Sequence, residues 1–337
     1  MSGQEEGARG YGQKGSGAVS TGLPALAAAL RAALGDESVA EGEPLARYTS
    51  LRVGGPADLL VTAGSAEALR RAVSLAWEQG VPCCVLGSGS NVLVADGGIR
   101  GIVVINRARA AGIVEGGLHA ESGAALAAVA RMAVSAGLAG LEWASGIPGT
   151  VGGAVVGNAG AWGSDVASTL RQATVLQVDG SPGTWPAGRF EYGYRTSLLK
   201  RQGQDRRAVV LEAEFRLQPG DEQSLRARVA EIGSRRRASQ PAGASCGSVF
   251  RNPPGDYAGR LVEAAGLKGE RRGGAVISPF HANFVVNEGT ASAADVRSLV
   301  ELMRQEVRAR LGVALELEIE LLGEWQPAGD WYPSPSS

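Results

Sequence analysis

Two glycine-rich segments of this chain could bind a ligand through their backbone. The first, GSGSN over residues 87–91, follows a short apolar run, where free backbone N–H groups can surround phosphate oxygens. It leads into another apolar stretch and lacks the third glycine of a dinucleotide fingerprint, so a tight structural turn is the alternative. The second, residues 145–163, contains seven glycines. They would let the backbone approach a flat ligand closely, or would serve the close packing of a helix on a sheet.

Polar side chains elsewhere could carry chemistry. Arg195 lies among aromatic residues in the segment YGYRTS, and a guanidinium can bind a carboxylate through two hydrogen bonds. Ser248 follows a glycine and could direct its hydroxyl into a cleft. Three acidic residues alternate along an apolar segment and would share one face of a strand: Glu316, Glu318 and Glu320. Taken singly, these features are more typical of an ion pair, a turn and a solvated strand face.

The composition indicates a globular protein that binds a small ligand. Of 337 residues 44% are apolar, and the formal net charge of −1 provides no field to attract a polyanion or an anionic membrane. We therefore expect neither nucleic acid nor a membrane as partner. The three cysteines include the adjacent pair Cys83 and Cys84 and match no disulfide framework, which is typical of a cytoplasmic protein. Only two histidines occur, His119 and His281, so no metal site is expected.

Apolar periodicity predicts alternating helices and strands that would position these residues. Helices are predicted over residues 23–34, 66–79, 124–136, 222–237, 256–265 and 292–311. Strands are predicted over residues 81–86, 92–94, 102–105, 175–178, 208–217, 283–286 and 314–322. The polar residues 1–22 are expected to form a disordered tail, and a domain boundary is expected at 218–221.

Seven motifs, in one order between residues 48 and 323, resemble those of a known enzyme family. They are YTSLRVGGPAD, VLGSGSNVLVADGGIRGIVV, GLEWASGIPGTVGGAVVGNAGAWG, YGYRTSLLK, GSVFRNPPGDYAGRLVEAAGLKG, HANFVVN and LELEIELLG. The sequence resembles the bacterial UDP-N-acetylenolpyruvoylglucosamine reductases, flavoenzymes of peptidoglycan precursor synthesis. The compact segment between Gly259 and Asn287 is similar to the subclass with the shorter substrate domain.

The resemblance implies an α+β fold with two domains. An FAD-binding domain of the vanillyl-alcohol-oxidase type would span residues 23–218, and a smaller α/β substrate-binding domain would span residues 219–317. A returning strand over residues 318–326 would contribute to the active site, and residues 327–337 would form a flexible tail.

The resemblance also implies non-covalent FAD, with NADPH as the hydride-donating co-substrate. The FAD pyrophosphate is expected to bind Gly87, Ser88, Gly89, Ser90 and Asn91. The rest of the flavin is expected to contact Ser145, Gly146, Gly149, Thr150, Gly152, Gly153, Asn158 and Gly160. The two glycine-rich segments would then form one cofactor site.

The implied substrate is a UDP-linked enolpyruvyl amino sugar. Hydride added to its vinyl carbon leaves negative charge at the carbon that carries the carboxylate. By resemblance, Arg195 would stabilise this enolate-like species, Ser248 would donate the proton and Glu318 would assist. Tyr194 and Asn252 would contact the substrate.

Two departures from the family pattern concern the substrate phosphates. Ser239 precedes Gln240 where family members often have a lysine, and the basic run 235–237 could supply that charge instead. An acidic and two basic residues follow GLKG where an aromatic residue is common. Glu320 is expected to be a solvated neighbour of the site.

Two other functions stay open at this point. One is an FAD-dependent oxidase of the same fold that acts on another small substrate and oxygen. The other is a non-catalytic flavin- or nucleotide-binding protein, which would be colourless if it failed to take up FAD. For the reductase we expect a cytoplasmic protein that is a monomer or a weak dimer.

Overall fold

The computed structural model describes residues 16–202 and 208–325 of the chain. Its α-helices are Ser16–Leu34, Ala66–Glu78, Leu126–Ser135, Val151–Gly157, Val166–Thr169, Leu198–Arg201, Glu222–Ser239, Ala258–Ala264 and Ala293–Leu311. The predicted helices are confirmed, with shifted ends. As predicted, Ser65 caps the helix Ala66–Glu78 by accepting a hydrogen bond from the Ala68 N–H at 3.1 Å. Ser292 and Asp295 form the predicted capping box of the long helix Ala293–Leu311.

The first helix is longer than the sequence indicated. It begins at Ser16 and so includes residues 16–22, for which a disordered tail was predicted. The prediction relied on apolar periodicity, which starts at Leu23, whereas an established helix extends into a less apolar segment because each added residue adds a hydrogen bond. The rest of the predicted N-terminal tail, residues 1–15, and the predicted C-terminal tail, residues 327–337, lie outside the described residues.

The first sheet is mixed and carries the segment 87–91 at the end of one strand. Its order is Val39–Pro44, Pro56–Ala63, Ile99–Asn106 and Cys83–Leu86. The last three strands are parallel to one another. In the central strand Ile99–Asn106, Ile102 and Val104 pack towards the helix Ala66–Glu78, while Val103 and Ile105 enter a second cluster. Burial on both faces explains why this strand is almost continuously apolar.

The second sheet is antiparallel and supports the second glycine-rich segment. Its order is Pro182–Pro186, Leu170–Leu176, Val209–Arg216, Gly117–Glu121 and Ala111–Val114. Val155, from the helix Val151–Gly157, and Phe215, from the central strand, are both fully buried in the core beneath it. This core fixes the helix that follows residues 145–150.

The third sheet lies in the C-terminal part of the chain and precedes the long helix. Its antiparallel order is Ala244–Ser245, Val285–Asn287, Ala275–Ile277 and Arg271–Arg272. Val296, Val300 and Met303 of the helix Ala293–Leu311 are fully buried in the core that this sheet shares. The first strand leads directly into the segment that carries Ser248.

The last strand returns to the first half of the chain. Glu320–Leu322 pairs in parallel with Val92–Val94, immediately after the segment 87–91. The predicted strand over 314–322 is therefore too long, since before Glu320 only Leu317 forms a bridge, to Phe250. The prediction followed the alternation of leucine and glutamate, but a strand also needs a neighbour with which to pair.

The shorter strand separates the three glutamates that were expected to share one face. The Glu316 side chain is 79% exposed, whereas that of Glu318 is 20% exposed. The expectation that Glu318 lies on a common solvated face is therefore wrong.

The predicted domain bounds stay predictions. The helix Glu222–Ser239, which follows the expected boundary at 218–221, packs against Leu126–Ser135 and Glu142–Ala144 of the first half of the chain. Within residues 16–202 and 208–325, no helix combines the length and hydropathy needed to cross a bilayer.

Candidate active site

A cavity of about 390 Å³ is lined by residues of, or next to, the three larger sheets described above. Arg195, Ser248 and Glu318, which lie far apart in the sequence, all line it. Most of the predicted cofactor residues line it too: Gly87, Ser88, Gly89, Ser90, Asn91, Gly149, Thr150, Gly152, Gly153 and Gly160. The structure therefore brings the two glycine-rich segments and three polar side chains to one place.

The segment 87–91 is a cradle that only glycine permits at two positions. Gly89 has a φ of 62°, and a Cβ there would lie 2.2 Å from the Tyr48 carbonyl oxygen. A Cβ on Gly87 would lie 2.4 Å from Thr150 Oγ1, so the two glycine-rich segments are in direct contact. A larger residue would collide with backbone at position 89 and with the Thr150 side chain at position 87.

The backbone of this cradle offers hydrogen-bond donors. In the part of the chain that the structure describes, the N–H groups of Ser88, Gly89 and Ser90 donate to no backbone oxygen. The Ser90 hydroxyl donates to the Pro148 carbonyl at 3.3 Å and so joins the cradle to the second segment. Adjacent free N–H groups of this kind bind anions such as phosphate.

Some glycines of the second segment also serve packing, which was the alternative for this segment. A Cβ on Gly152 would lie 2.8 Å from the Cβ of Ser122, and one on Gly160 would lie 2.6 Å from the Ser164 carbonyl oxygen. Both positions line the cavity as well. Close packing and ligand binding are compatible uses of these glycines. The missing side chain allows close packing on one side of the backbone and leaves the cavity side unobstructed.

Arg195 lies in a tight turn that another predicted residue supports. The backbones of Gly193 and Thr196 exchange two hydrogen bonds, of 3.1 and 3.2 Å, around it. Its φ of 56° is left-handed, which costs a non-glycine residue about 1–3 kcal/mol. Asn158 Nδ2 donates to the Gly193 carbonyl at 3.0 Å and fixes this turn. Asn158 does not line the cavity, although it was expected to contact the flavin.

Four further predicted residues also lie outside the cavity lining: Ser145, Gly146, Tyr194 and Asn252. The Tyr194 side chain is exposed, and the Arg195 guanidinium lies 5.4 Å from its ring centroid. Asn252 Oδ1 accepts a hydrogen bond from the Ala258 N–H at 3.0 Å, at the start of the helix Ala258–Ala264. The expected substrate contacts of Tyr194 and Asn252 stay predictions.

Glu318 is held between the segments of Ser248 and Asn91. Its N–H donates to the carbonyl of Val249, the residue after Ser248, at 2.8 Å. Its own carbonyl accepts from Asn91 Nδ2 at 3.1 Å. The Glu318 Oε1 atom lies 2.9 Å from Arg195 Nε, an ion pair in which this N–H is not aligned for a hydrogen bond. The carboxylate is thus coupled to Arg195 by charge and to both neighbouring segments by its backbone.

Burial changes the acidity of Glu318. Removal from water raises the pKa of its carboxyl group, and the nearby charges of Arg195, Lys200 and Arg251 oppose this rise without cancelling it. Glu318 therefore keeps its proton to a higher pH than an exposed glutamate. A carboxyl group whose pKa is raised in this way is better suited to donate a proton than an exposed glutamate.

Two charged residues of the cavity were misjudged or missed. Glu320 is not a solvated neighbour, because its side chain is 21% exposed, lines the cavity and lies 3.9 Å from Lys200 Nζ. Lys200 was not predicted at all, although it follows Arg195 by five residues in the same motif. Ser197 caps the short helix Leu198–Arg201 and its hydroxyl donates to the Val156 carbonyl at 2.6 Å, which anchors Lys200 beside the cavity.

Comparison with known proteins supports one family over most of the chain. Residues 57–182 match the FAD binding domain family, and residues 240–322 match the UDP-N-acetylenolpyruvoylglucosamine reductase, C-terminal domain. The UDP-N-acetylenolpyruvoylglucosamine reductase of Chloroflexus aggregans is 45% identical over 83% of this chain and 96% of the relative. The reductase of Rubrobacter xylanophilus is 49% identical over 84% of this chain and 94% of the relative.

A solved structure agrees with these relatives. The UDP-N-acetylenolpyruvylglucosamine reductase of Thermus caldophilus aligns with a TM-score of 0.72 and 37% identity, over 83% of this chain and 97% of that chain. The predicted fold class is confirmed: α+β, with an FAD-binding domain followed by a smaller C-terminal domain. The chain belongs to the UDP-N-acetylenolpyruvoylglucosamine reductase family.

Proposed function

We propose that this chain catalyses the NADPH-dependent reduction of UDP-N-acetylglucosamine enolpyruvate to UDP-N-acetylmuramate through FAD. The observation that supports this most is the convergence of Arg195, Ser248 and Glu318 on a cavity with a glycine cradle. We also propose that the protein is a monomer or a weak dimer. Since NADPH and sugar nucleotides are cytoplasmic metabolites, we also propose a cytoplasmic location.

The residues present suit FAD. The positions of Gly87 and Gly89, where a Cβ would collide, and the unused N–H groups of residues 88–90 form a site of the right chemistry for its pyrophosphate. The backbone of residues 149–153 would border the rest of the cofactor. When bound, FAD supplies the two-electron transfer between NADPH and the substrate. The protein contributes binding, orientation and electrostatics.

Arg195 would act on the charge that develops in the substrate. Reduction adds a hydride to the terminal vinyl carbon and a proton to the neighbouring carbon, which bears the carboxylate. Between these events negative charge spreads over that carbon and the carboxylate. A guanidinium fixed by a tight turn can bind this carboxylate without reorganising during the reaction, which favours the transition state over the ground state.

Ser248 would complete the reaction by donating its hydroxyl proton to the carbon next to the carboxylate. Glu318 would assist as the acidic group of the same site, because its backbone bonds to Val249, adjacent to Ser248, and burial raises the pKa of its carboxyl group. These roles belong to the oxidative half-reaction, in which reduced enzyme meets the enolpyruvyl sugar. The transfer from NADPH needs neither group.

Replacing Glu318 with glutamine should slow the oxidative half-reaction roughly 10²-fold, the lower range for loss of an acid–base group. Because the acid form of Glu318 is the active one, the wild-type rate should be level at low pH and fall as the pH rises through its raised pKa. The variant should lack this fall. Stopped-flow rates across pH measure both effects, and Glu316→Gln, at the 79% exposed neighbour, is the matched control. An unchanged alkaline fall in Glu318→Gln would remove Glu318 from the site.

Asn91 should act as a positioning residue for Glu318 in addition to its place in the cradle. Asn91→Ala removes the Nδ2 donor that holds the Glu318 carbonyl without adding charge, and we expect roughly tenfold slower oxidation by the enolpyruvyl sugar, the loss of one hydrogen bond. The affinity for FAD should change little, since backbone N–H groups form the cradle. A variant that loses FAD but keeps the rate when saturated with FAD would contradict this role.

Anaerobic stopped flow tests the proposed function directly. NADPH should bleach the flavin of the purified enzyme, and the enolpyruvyl sugar nucleotide should then restore the flavin colour without oxygen. Reoxidation by oxygen alone would favour the oxidase alternative. A colourless protein that takes up no FAD would favour the non-catalytic alternative.

A further inference from the structure

Three cationic side chains line the cavity, and one of them differs in its surroundings. They are Arg195, Lys200 and Arg236. Arg195 lies beside Glu318, and Lys200 lies beside Glu320. Within residues 16–202 and 208–325, the Arg236 guanidinium forms neither an ion pair nor a hydrogen bond. Its charge is therefore the one in the described cavity that no acidic side chain balances.

Arg236 is partly buried, which makes this lack of a partner informative. It lies in the last turn of the helix Glu222–Ser239, and its Cδ atom would be only 3.2 Å from a Cβ on Gly146. The absence of a side chain at Gly146 leaves room for the arginine to reach the cavity. Burial lowers the pKa of the Arg236 guanidinium, and no acidic neighbour among the described residues counteracts it. A desolvated cation of this kind gains most from an anionic ligand.

The neighbouring arginines do not share these properties. Arg235 is 58% exposed and its Nη2 lies 2.5 Å from Glu231 Oε1. Arg237 is exposed, lies in the same last turn as Arg236 and does not line the cavity. Any favourable interaction with the C-terminal end of the helix would be common to Arg236 and Arg237. Only Arg236 combines that position with access to the cavity.

We propose that Arg236 binds the diphosphate of the nucleotides that enter the cavity, as a binding residue distinct from the FAD cradle. This rests on the proposed function, in which NADPH and a UDP-linked sugar are the two substrates. Both carry a diphosphate, and a guanidinium fork matches phosphate oxygens with two hydrogen bonds. The carboxylate of the sugar is assigned to Arg195, and the diphosphate is the anionic group that both nucleotides share.

Equilibrium titration of the FAD-loaded enzyme with UDP and with NADP⁺ tests this proposal without requiring turnover. Arg236→Ala should weaken the binding of at least one probe roughly 10–100-fold, the usual loss for one charged hydrogen-bonding partner. The affinity of Arg236→Lys for the same probe should lie between those of Arg236→Ala and the wild type. Arg237→Ala removes the same charge from the same helix turn and should stay within about twofold of the wild type, because its side chain lies outside the cavity.

The two probes and a third measurement separate the possible sources of phosphate. Weaker binding of UDP assigns Arg236 to the sugar nucleotide, and weaker binding of NADP⁺ assigns it to the hydride donor. The proposal is overturned if Arg236→Ala and Arg237→Ala bind both probes alike, if the wild type binds neither probe, or if Arg236→Ala reduces only the affinity for FAD. If the wild type binds UDP but does not convert the enolpyruvyl sugar, the proposed function fails while the contrast between the two variants still decides the role of Arg236.

Discussion

Ser248→Ala should leave the bleaching of the flavin by NADPH at its wild-type rate and slow reoxidation by the enolpyruvyl sugar roughly 10³-fold, the middle of the range for loss of a proton donor. Alanine removes only the hydroxyl. The backbone of the segment is held independently, since the N–H of Val249 donates to the Asn283 carbonyl at 2.8 Å and that of Phe250 donates to Asn283 Oδ1 at 3.0 Å. The geometry of the cavity should therefore survive the substitution.

Separate measurement of the two half-reactions distinguishes loss of the proton donor from general damage to the site. Ser224→Ala, at an exposed serine of the helix Glu222–Ser239, serves as the control and should match the wild type in both. Equal slowing of both half-reactions by Ser248→Ala would count against a proton donor and indicate a structural role. Isotope incorporation from solvent D₂O at the carbon next to the carboxylate reports the same step independently.

Arg195→Ala should slow the oxidative half-reaction roughly 10²–10³-fold, as expected when a group that stabilises developing charge is removed. The loss has two parts, because alanine removes the cation that faces the substrate carboxylate and leaves Glu318 without its ion-pair partner. Without this positive charge the pKa of Glu318 should rise further, so the alkaline fall of the rate should move to higher pH.

Arg195→Lys tests whether a positive charge at position 195 is enough to support the oxidative half-reaction. Lysine restores a cation but supplies a point charge, not a planar fork, so we expect it to recover only part of the rate and to remain at least about tenfold below the wild type. Full recovery would show that the bidentate geometry is unimportant. If the variant still takes up FAD and NADPH still bleaches that flavin, the substitution has left the cavity intact.

The sequence alone predicted the residues that meet at the cavity better than the elements that carry them. Arg195, Ser248 and Glu318 received their expected roles from the family resemblance of short motifs, and all three line one cavity. The strand proposed for 314–322 was too long, because alternation of apolar and acidic residues is also produced by an irregular segment that packs on a core. Strand pairing depends on a distant neighbour, which periodicity within one segment does not report.

Polar residues inside the motifs show a second limit of prediction from the sequence. Asn158 and Asn252 are predicted to contact ligands, and in the structure each also uses its amide to hold backbone, at the turn of Arg195 and at the start of a helix. Sequence cannot separate these uses, because an asparagine that bonds a ligand and one that bonds a loop have the same local pattern. Lys200 and Arg236 were undervalued for the converse reason, since their relevance comes from burial beside the cavity.

The pairing of Glu320–Leu322 with Val92–Val94 has a consequence for biogenesis. Asn91 and Glu318 are separated by 227 residues, yet their hydrogen bond joins the two ends of the working site. During synthesis Glu318 leaves the ribosome only after almost all of the described chain. The segment 87–91 is therefore synthesised long before Glu318 is available to bond with Asn91. Such a long loop is slow to close, and the nascent enzyme should gain its catalytic competence in a late folding step.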